Sequence, residues 1–214
     1  MLDVHAPHGP AHGWRDFLVH IAAIAIGLLL ALGLEKLAEY VHERRQLTEA
    51  RRELATEIVE NRHAWSGNME ESSRVQRELA ANLKVIQALR SRGAPEGGKL
   101  DYSMHFYAAR DGSWQAVRQG GSLDLMPHEE LETYSWFNAI LASVMESMHA
   151  LETTLQIGGA IASSAAPERL SAHDLDELAS KTMEAQGRLE HLRMFLGFEH
   201  DGLETLGAKA GAAR

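Results

Sequence analysis

The sequence predicts an all-α protein: an N-terminal transmembrane helix continues into a long amphipathic helix, which packs with an antiparallel helical hairpin as a three-helix, coiled-coil-like bundle. Three observations carry this prediction. From Phe17 to Leu34 the chain offers an apolar run with His20 as its only strongly polar side chain. From Glu35 to about Arg92 there is no proline and a single glycine, Gly67. Between Tyr134 and Leu196 two apolar stripes repeat at alternating spacings of three and four residues.

The first thirteen residues, MLDVHAPHGPAHG, read as a flexible arm. Pro7 and Pro10 prevent a regular helix, so His5, His8 and His12 have no helical spacing. Neutral imidazoles on such an arm are able to take Zn, Cu or Ni, but no preorganised geometry is evident and a solvated tail is the simpler expectation. No cofactor or metal is assigned.

Residues 14–34 form the expected transmembrane helix. At ~1.5 Å per residue the apolar run covers roughly 27 Å, the thickness of a hydrocarbon core, and a helix satisfies its own backbone there. Trp14 stands at one edge, as interfacial aromatics do. A cleaved signal peptide fits less well, because Glu35, Lys36 and a helical pattern follow at once. A core helix of a soluble protein is the other reading, compatible with the chain's mean hydropathy of -0.25 but not with so long a run lacking a polar face. Ala23, Gly27 and Ala31 recur every four residues and present one flat helix face, the small-xxx-small pattern that lets two spans approach. They are the candidate oligomer face.

Residues 35–92 read as one long helix, with Leu47, Leu54, Ile58, Trp65, Met69, Leu79, Leu83 and Ile86 following a period of about 3.6 to 3.67. A bend or break is expected at Gly67, and Gly93, Pro95, Gly97 and Gly98 are expected to end the helix. Residues 93–126 form an irregular connector. Its stretch LDYSMHFYA is read as an ordered loop covering the helices, with Tyr102, Phe106, Tyr107 and Trp114 as core fillers. Ser113 is expected to cap a short helix that Gly120 and Gly121 terminate.

Residues 127–197 form the hairpin. Pro127 opens its first helix at N1, with Glu129 and Glu130 in the first turn complementing the macrodipole. The seam is Tyr134, Phe137, Leu141, Val144, Met148, Leu151 and Leu155, ended by Gly158 and Gly159. Ser171 and Asp174 resemble a capping box, and Leu175, Leu178, Thr182, Ala185, Leu189, Leu192 and Leu196 form the facing seam, closed by Gly197. The Trp65 to Leu89 half of the long helix is the expected third partner. Residues 198–214 are expected to be a flexible tail.

Composition excludes several functions. The 214 residues contain no cysteine, so there is neither disulfide nor thiol chemistry. A net charge of -9 and a pI near 5.7 speak against a nucleic-acid partner. Glu-x-x-His occurs at Glu39 and His42, Glu60 and His63, and Glu146 and His149, the pattern of di-iron helical bundles. The helical wheel sets the latter two pairs away from the apolar seams, so they read as solvated surface residues and no enzyme is expected.

The run HAPHGPAHGWRDFLVHIAAIAIGLLLALGLEKLAEYVHERR, continuing into EARRELATEIVENR, resembles uncharacterised bacterial single-pass inner-membrane proteins with one N-terminal transmembrane helix and a helical body; SWQAVRQGGSLDLMPHEE resembles them more loosely. The resemblance implies the architecture and transfers no functional residue. The expected role is a non-enzymatic scaffold or interaction protein in the bilayer, a homo-oligomer or bound to another membrane protein. The alternative is an extracytoplasmic bundle holding a small ligand near Trp65, Trp114 or Trp136 and signalling through a partner. Lys36, Arg44, Arg45, Arg51 and Arg52 follow the span whereas Arg15 precedes it, so the charge count favours a cytoplasmic body over a periplasmic one. Leu37, Val41, Leu47 and Leu54 are expected to lie beyond the hairpin's reach and to pair with a second copy.

Overall fold

A long stretch rich in Ala, Leu, Glu and Arg, free of proline, favours helix at nearly every position, and the chain adopts it in a single element. In the computed structural model, which describes residues 13–91 and 98–212, helix α1 runs Trp14–Arg90. Helix α2 follows at Gly112–Gln119, α3 at His128–Ser163 and α4 at Ala172–Ala212, with 3-10 turns at Ser122–Leu125 and Pro167–Arg169. The described residues contain no strand, and the chain is an all-α bundle protein. It divides into two compact units, one ending at Glu49 and the other Ala50–Arg214, and α1 contributes to both.

In the first unit every described side chain from Phe17 to Arg45 is exposed within the chain. In the second unit α3 and α4 lie antiparallel, as Thr154 reaching Glu184 and Gly202 meeting Phe137 require. The second-unit part of α1 also runs antiparallel to α4. Its residues meet that helix in reverse order, with Arg90 on Asp176, Arg193 on Gln76, Trp65 on the Leu196 carbonyl and Arg62 on the Leu203 carbonyl. The core between the three helices is built by Val75, Leu79 and Ile86, by Val144, Leu151 and Leu155, and by Leu178, Leu189, Leu192 and Leu196, each no more than 2% exposed. Each such leucine contributes ~1.5–3 kcal/mol by leaving water.

Both predicted hairpin seams are buried at every position named from sequence. Ser171 and Asp174 form the expected capping box, the Asp174 N–H donating to Ser171 Oγ at 3.1 Å and the Ser171 N–H to Asp174 Oδ2 at 2.9 Å.

Several boundaries differ from expectation. Gly158 and Gly159 do not end α3, which continues to Ser163. Nor does Gly197 end α4: the helix extends to Ala212 and buries Leu203 and Leu206, where a flexible tail was expected from residue 198. A glycine costs a helix about 1 kcal/mol, less than one buried leucine returns, so packing carries the helices through. Pro127 occupies the N-cap rather than N1, with Glu129 and Glu130 in the first turn as expected. Gly67 breaks nothing. It gives room to Tyr107, whose ring would stand 2.5 Å from a Cβ there. The bundle also reaches further along α1 than expected, because Leu54 is 2% and Ala50 3% exposed and Arg51 makes a two-bond pair with Glu130 of α3. Leu54 is therefore not left for a second copy. Gly93, Pro95 and Gly97 lie outside the described residues.

Candidate functional site

In the first unit, an 18-residue window of α1 has a mean hydropathy of 2.6 and no buried residue. Ile24, Leu29 and Leu34 are 67–68% exposed, so nothing among the described residues covers them. This helix is long and apolar enough to span a bilayer. Ala23, Gly27 and Ala31 are all exposed on it, and a Cβ added at Gly27 would meet nothing within 4 Å. Nearer its end, Lys36 pairs with Glu39 at 2.5 Å and Arg44 sits over the Tyr40 ring, giving way from hydrocarbon-like to solvated surface.

In the second unit the main device is one the sequence reading missed. The inward positions of α1 alternate four and three apart, Leu54, Ile58, Asn61, Trp65, Asn68, Ser72, Val75, Leu79, Asn82 and Ile86, each buried or half-buried. The apolar residues alone follow a period of 3.6 to 3.67; the asparagines close the gaps at a spacing of 3.5. Asn61, Asn68 and Asn82 are 0–1% exposed. Each meets the connector with a two-bond amide pair. Asn82 Nδ2 donates to the Asp101 carbonyl at 2.6 Å and the Asp101 N–H returns to Oδ1 at 2.9 Å. Asn68 does the same with Tyr107, at 3.0 and 2.7 Å, and Asn61 with Arg110, both at 2.8 Å.

Residues 98–111 are thus held as an extended strip whose pairing partner is a row of side chains rather than a strand. Between the rungs, Glu71 accepts the His105 N–H at 2.7 Å and Arg74 donates to the Ser103 carbonyl at 2.9 Å. The Arg74 guanidinium bonded to it holds the Glu71 carboxyl below the ordinary range. Glu57, 7% exposed, accepts the N–H groups of Ser113 and Trp114 and so caps α2 from another helix. Ser113 is not the cap, since Asp111 occupies that position and makes no capping bond.

The strip buries alternate side chains. Tyr102 is 9% exposed, its hydroxyl 2.7 Å from Thr182 Oγ1, and burial pushes its phenol up. Met104 and Phe106 pack on the core, while Tyr107 is 61% exposed. The expected ordered loop is therefore present, with Tyr107 outside the core. Along the strip runs an open groove of about 670 Å³, lined by Met104, Phe106, Met145, Met148, His149 and Glu152 among others. Trp65, Trp114 and Trp136 do not line it. Trp65 is half-buried with its Nε1–H on the Leu196 carbonyl, Trp114 is 7% exposed in α2, and Trp136 is 47% exposed.

The Glu-x-x-His pairs are exposed at all six residues, and Glu60 is engaged by Arg110 at 2.8 Å. Among the described residues no group of three or more potential metal ligands comes together. His5, His8 and His12 lie outside the described residues. A second feature the sequence reading missed is Glu199 of α4, 1% exposed, with Oε2 lacking any hydrogen-bond partner. Comparison with family models, with curated proteins and with solved structures finds no match to this chain.

Proposed function

We propose that this protein is a membrane-anchored, non-enzymatic helical scaffold or interaction protein of the bacterial inner membrane. The supporting observation is the run from Phe17 to Leu34, exposed along its whole length within the chain. Leaving that many apolar side chains in water forgoes ~1.5–3 kcal/mol at each large one, and a bilayer restores it. The span at residues 14–34 anchors the chain, and the bundle is the part available to partners. Ala23, Gly27 and Ala31 supply a face for a homo-oligomer, or for the span of another membrane protein. The resemblance of the first fifty residues to bacterial single-pass proteins fits this reading.

The charge count around the span favours a bundle on the cytoplasmic side. The groove beside Met104 and Met148 favours a second reading, an extracytoplasmic bundle that senses a small ligand and signals through a partner. The two separate by topology. After alkaline carbonate washing the protein is expected in the membrane pellet, and release into the supernatant refutes the anchor. A reporter fused after Arg214 is expected to be active only as a cytoplasmic fusion; activity confined to the periplasm transfers support to the sensor.

A further inference from the structure

The buried stripe of α4 continues past Leu196 through Glu199, Leu203 and Leu206 without a change of spacing, and their exposures are 1%, 1% and 3%. A carboxylic acid thus holds a seam position. Phe137 of α3 stands within 2.7 Å of a Cβ added at Gly202, three residues after it, and Trp65 of α1 donates to the Leu196 carbonyl, three residues before it. Among the described residues, charged or titratable groups stand on the neighbouring turns of all three helices. From α1 comes Arg62, already engaged with the Leu203 carbonyl at 3.0 Å and 3.5 Å from Glu204. From α3 comes Tyr134, one turn before Phe137 in the seam, its phenol raised by burial. α4 itself adds His200, its ring tilted by 45° against Trp65 at 4.6 Å between centroids, together with Asp201 and Glu204. Glu199 Oε2 is bonded to none of them.

The segment that carries this acid is weakly helical on its own. Gly197, Gly202, Gly207 and Gly211 fall in the last part of α4, and each lowers helix propensity by about 1 kcal/mol relative to alanine. Docking therefore holds Gly197–Ala212 helical, and docking buries the acid.

We infer that Gly197–Ala212 is a proton-locked latch: it docks on α1 and α3 while the Glu199 carboxyl is neutral, and ionisation of that carboxyl releases it. Burial without a compensating cation pushes the carboxyl from 4.5 up to about 7. Because the docked state has the higher value, the undocked state gains ionised population first. Docking is strongest below about pH 4.5, weakens as pH rises towards about 7, and is level above that. Between about pH 5.5 and about pH 8 the opening equilibrium is expected to rise roughly 30-fold.

The test is hydrogen exchange on the full-length protein in detergent, corrected for intrinsic rates, comparing residues 198–208 with residues 185–196 of the same helix. At the higher pH, residues 198–208 are expected to lose protection by roughly that factor beyond the change in the upstream control. Glu199→Gln, which cannot ionise, is expected to abolish this pH response whatever its effect on absolute protection. Glu199→Leu is expected to protect the segment equally at both pH values. His200→Gln is expected to keep the response. A wild-type segment that tracks its upstream control, a response that survives Glu199→Gln, or one that vanishes in His200→Gln each overturns the latch.

Discussion

Replacing Asn68 by leucine tests whether the side-chain ladder, rather than apolar contact, fixes the connector on α1. Asn68 is 1% exposed and makes two hydrogen bonds with Tyr107, at 3.0 and 2.7 Å. Leucine keeps the branched outline, though it is bulkier, and removes both. Each net bond is worth about 1 kcal/mol, and each backbone group left dry costs about 1–3 kcal/mol. Tyr107 is 61% exposed and both bonds are only part-buried, so the total falls near the lower end, about 2–4 kcal/mol. For a unit of this size that lowers Tm by roughly 5–12 °C. Circular dichroism melting of the detergent-solubilised protein reads the Tm, and hydrogen exchange is expected to show residues 98–111 losing protection ahead of α3 and α4. Asn68→Asp sharpens the test. It keeps an acceptor for the Tyr107 N–H but sets a carboxylate against the Tyr107 carbonyl, so it is expected to be destabilising at neutral pH and partly rescued in acid, where a protonated oxygen donates again. If Asn68→Leu melts within about 1 °C of a His63→Ala surface control, this rung contributes nothing to holding the strip.

Gly158→Ala is expected to destabilise by ~1–3 kcal/mol, because its Cβ would stand 2.6 Å from the buried Tyr102 ring, fixed by its bond to Thr182; denaturant titration measures it. Gly67→Ala makes an equally close approach to Tyr107, but that ring is exposed and able to swing away, so the same titration is expected to give a change within about 0.5 kcal/mol of zero as helix propensity offsets the contact. Glu199→Leu removes an acid whose docked-state value of about 7 exceeds 4.5, and is expected to raise stability by up to roughly 3 kcal/mol at pH 8 and much less at about pH 4.5; a gain independent of pH contradicts burial as the cause of the shift. Gly27→Leu fills the open face between Ala23 and Ala31 and is expected to weaken self-association in detergent while membrane insertion stays intact; an unchanged dimer, or a wild type that is monomeric at every concentration, removes this face from the proposal.

The apolar run from Phe17 to Leu34 was legible in the sequence from its length and its lack of a polar face, and the two hairpin seams because burial repeats with the helix period and needs no knowledge of the partner. So was the Ser171 and Asp174 cap, a contact between residues three apart. The asparagine ladder was not, although its signal was present: Leu54, Asn61, Asn68, Val75, Asn82 and Leu89 recur every seven residues. An asparagine on a helix face suits water as well as a buried backbone, and only the arrival of residues 98–111 decides between them. The same holds for Glu57, which looks like a surface acid until α2 brings two N–H groups to it. Glycine misled for the opposite reason. Gly158 and Gly197 weaken a helix locally by about 1 kcal/mol, and local propensity is what sequence reports. The helices run through them because buried contacts supply more than that: Tyr102 packs against Gly158, and Leu203 and Leu206 are buried beyond Gly197. Sequence periodicity therefore determined which faces are buried, while tertiary packing determined how far each helix runs and which polar side chains are shut in with the core.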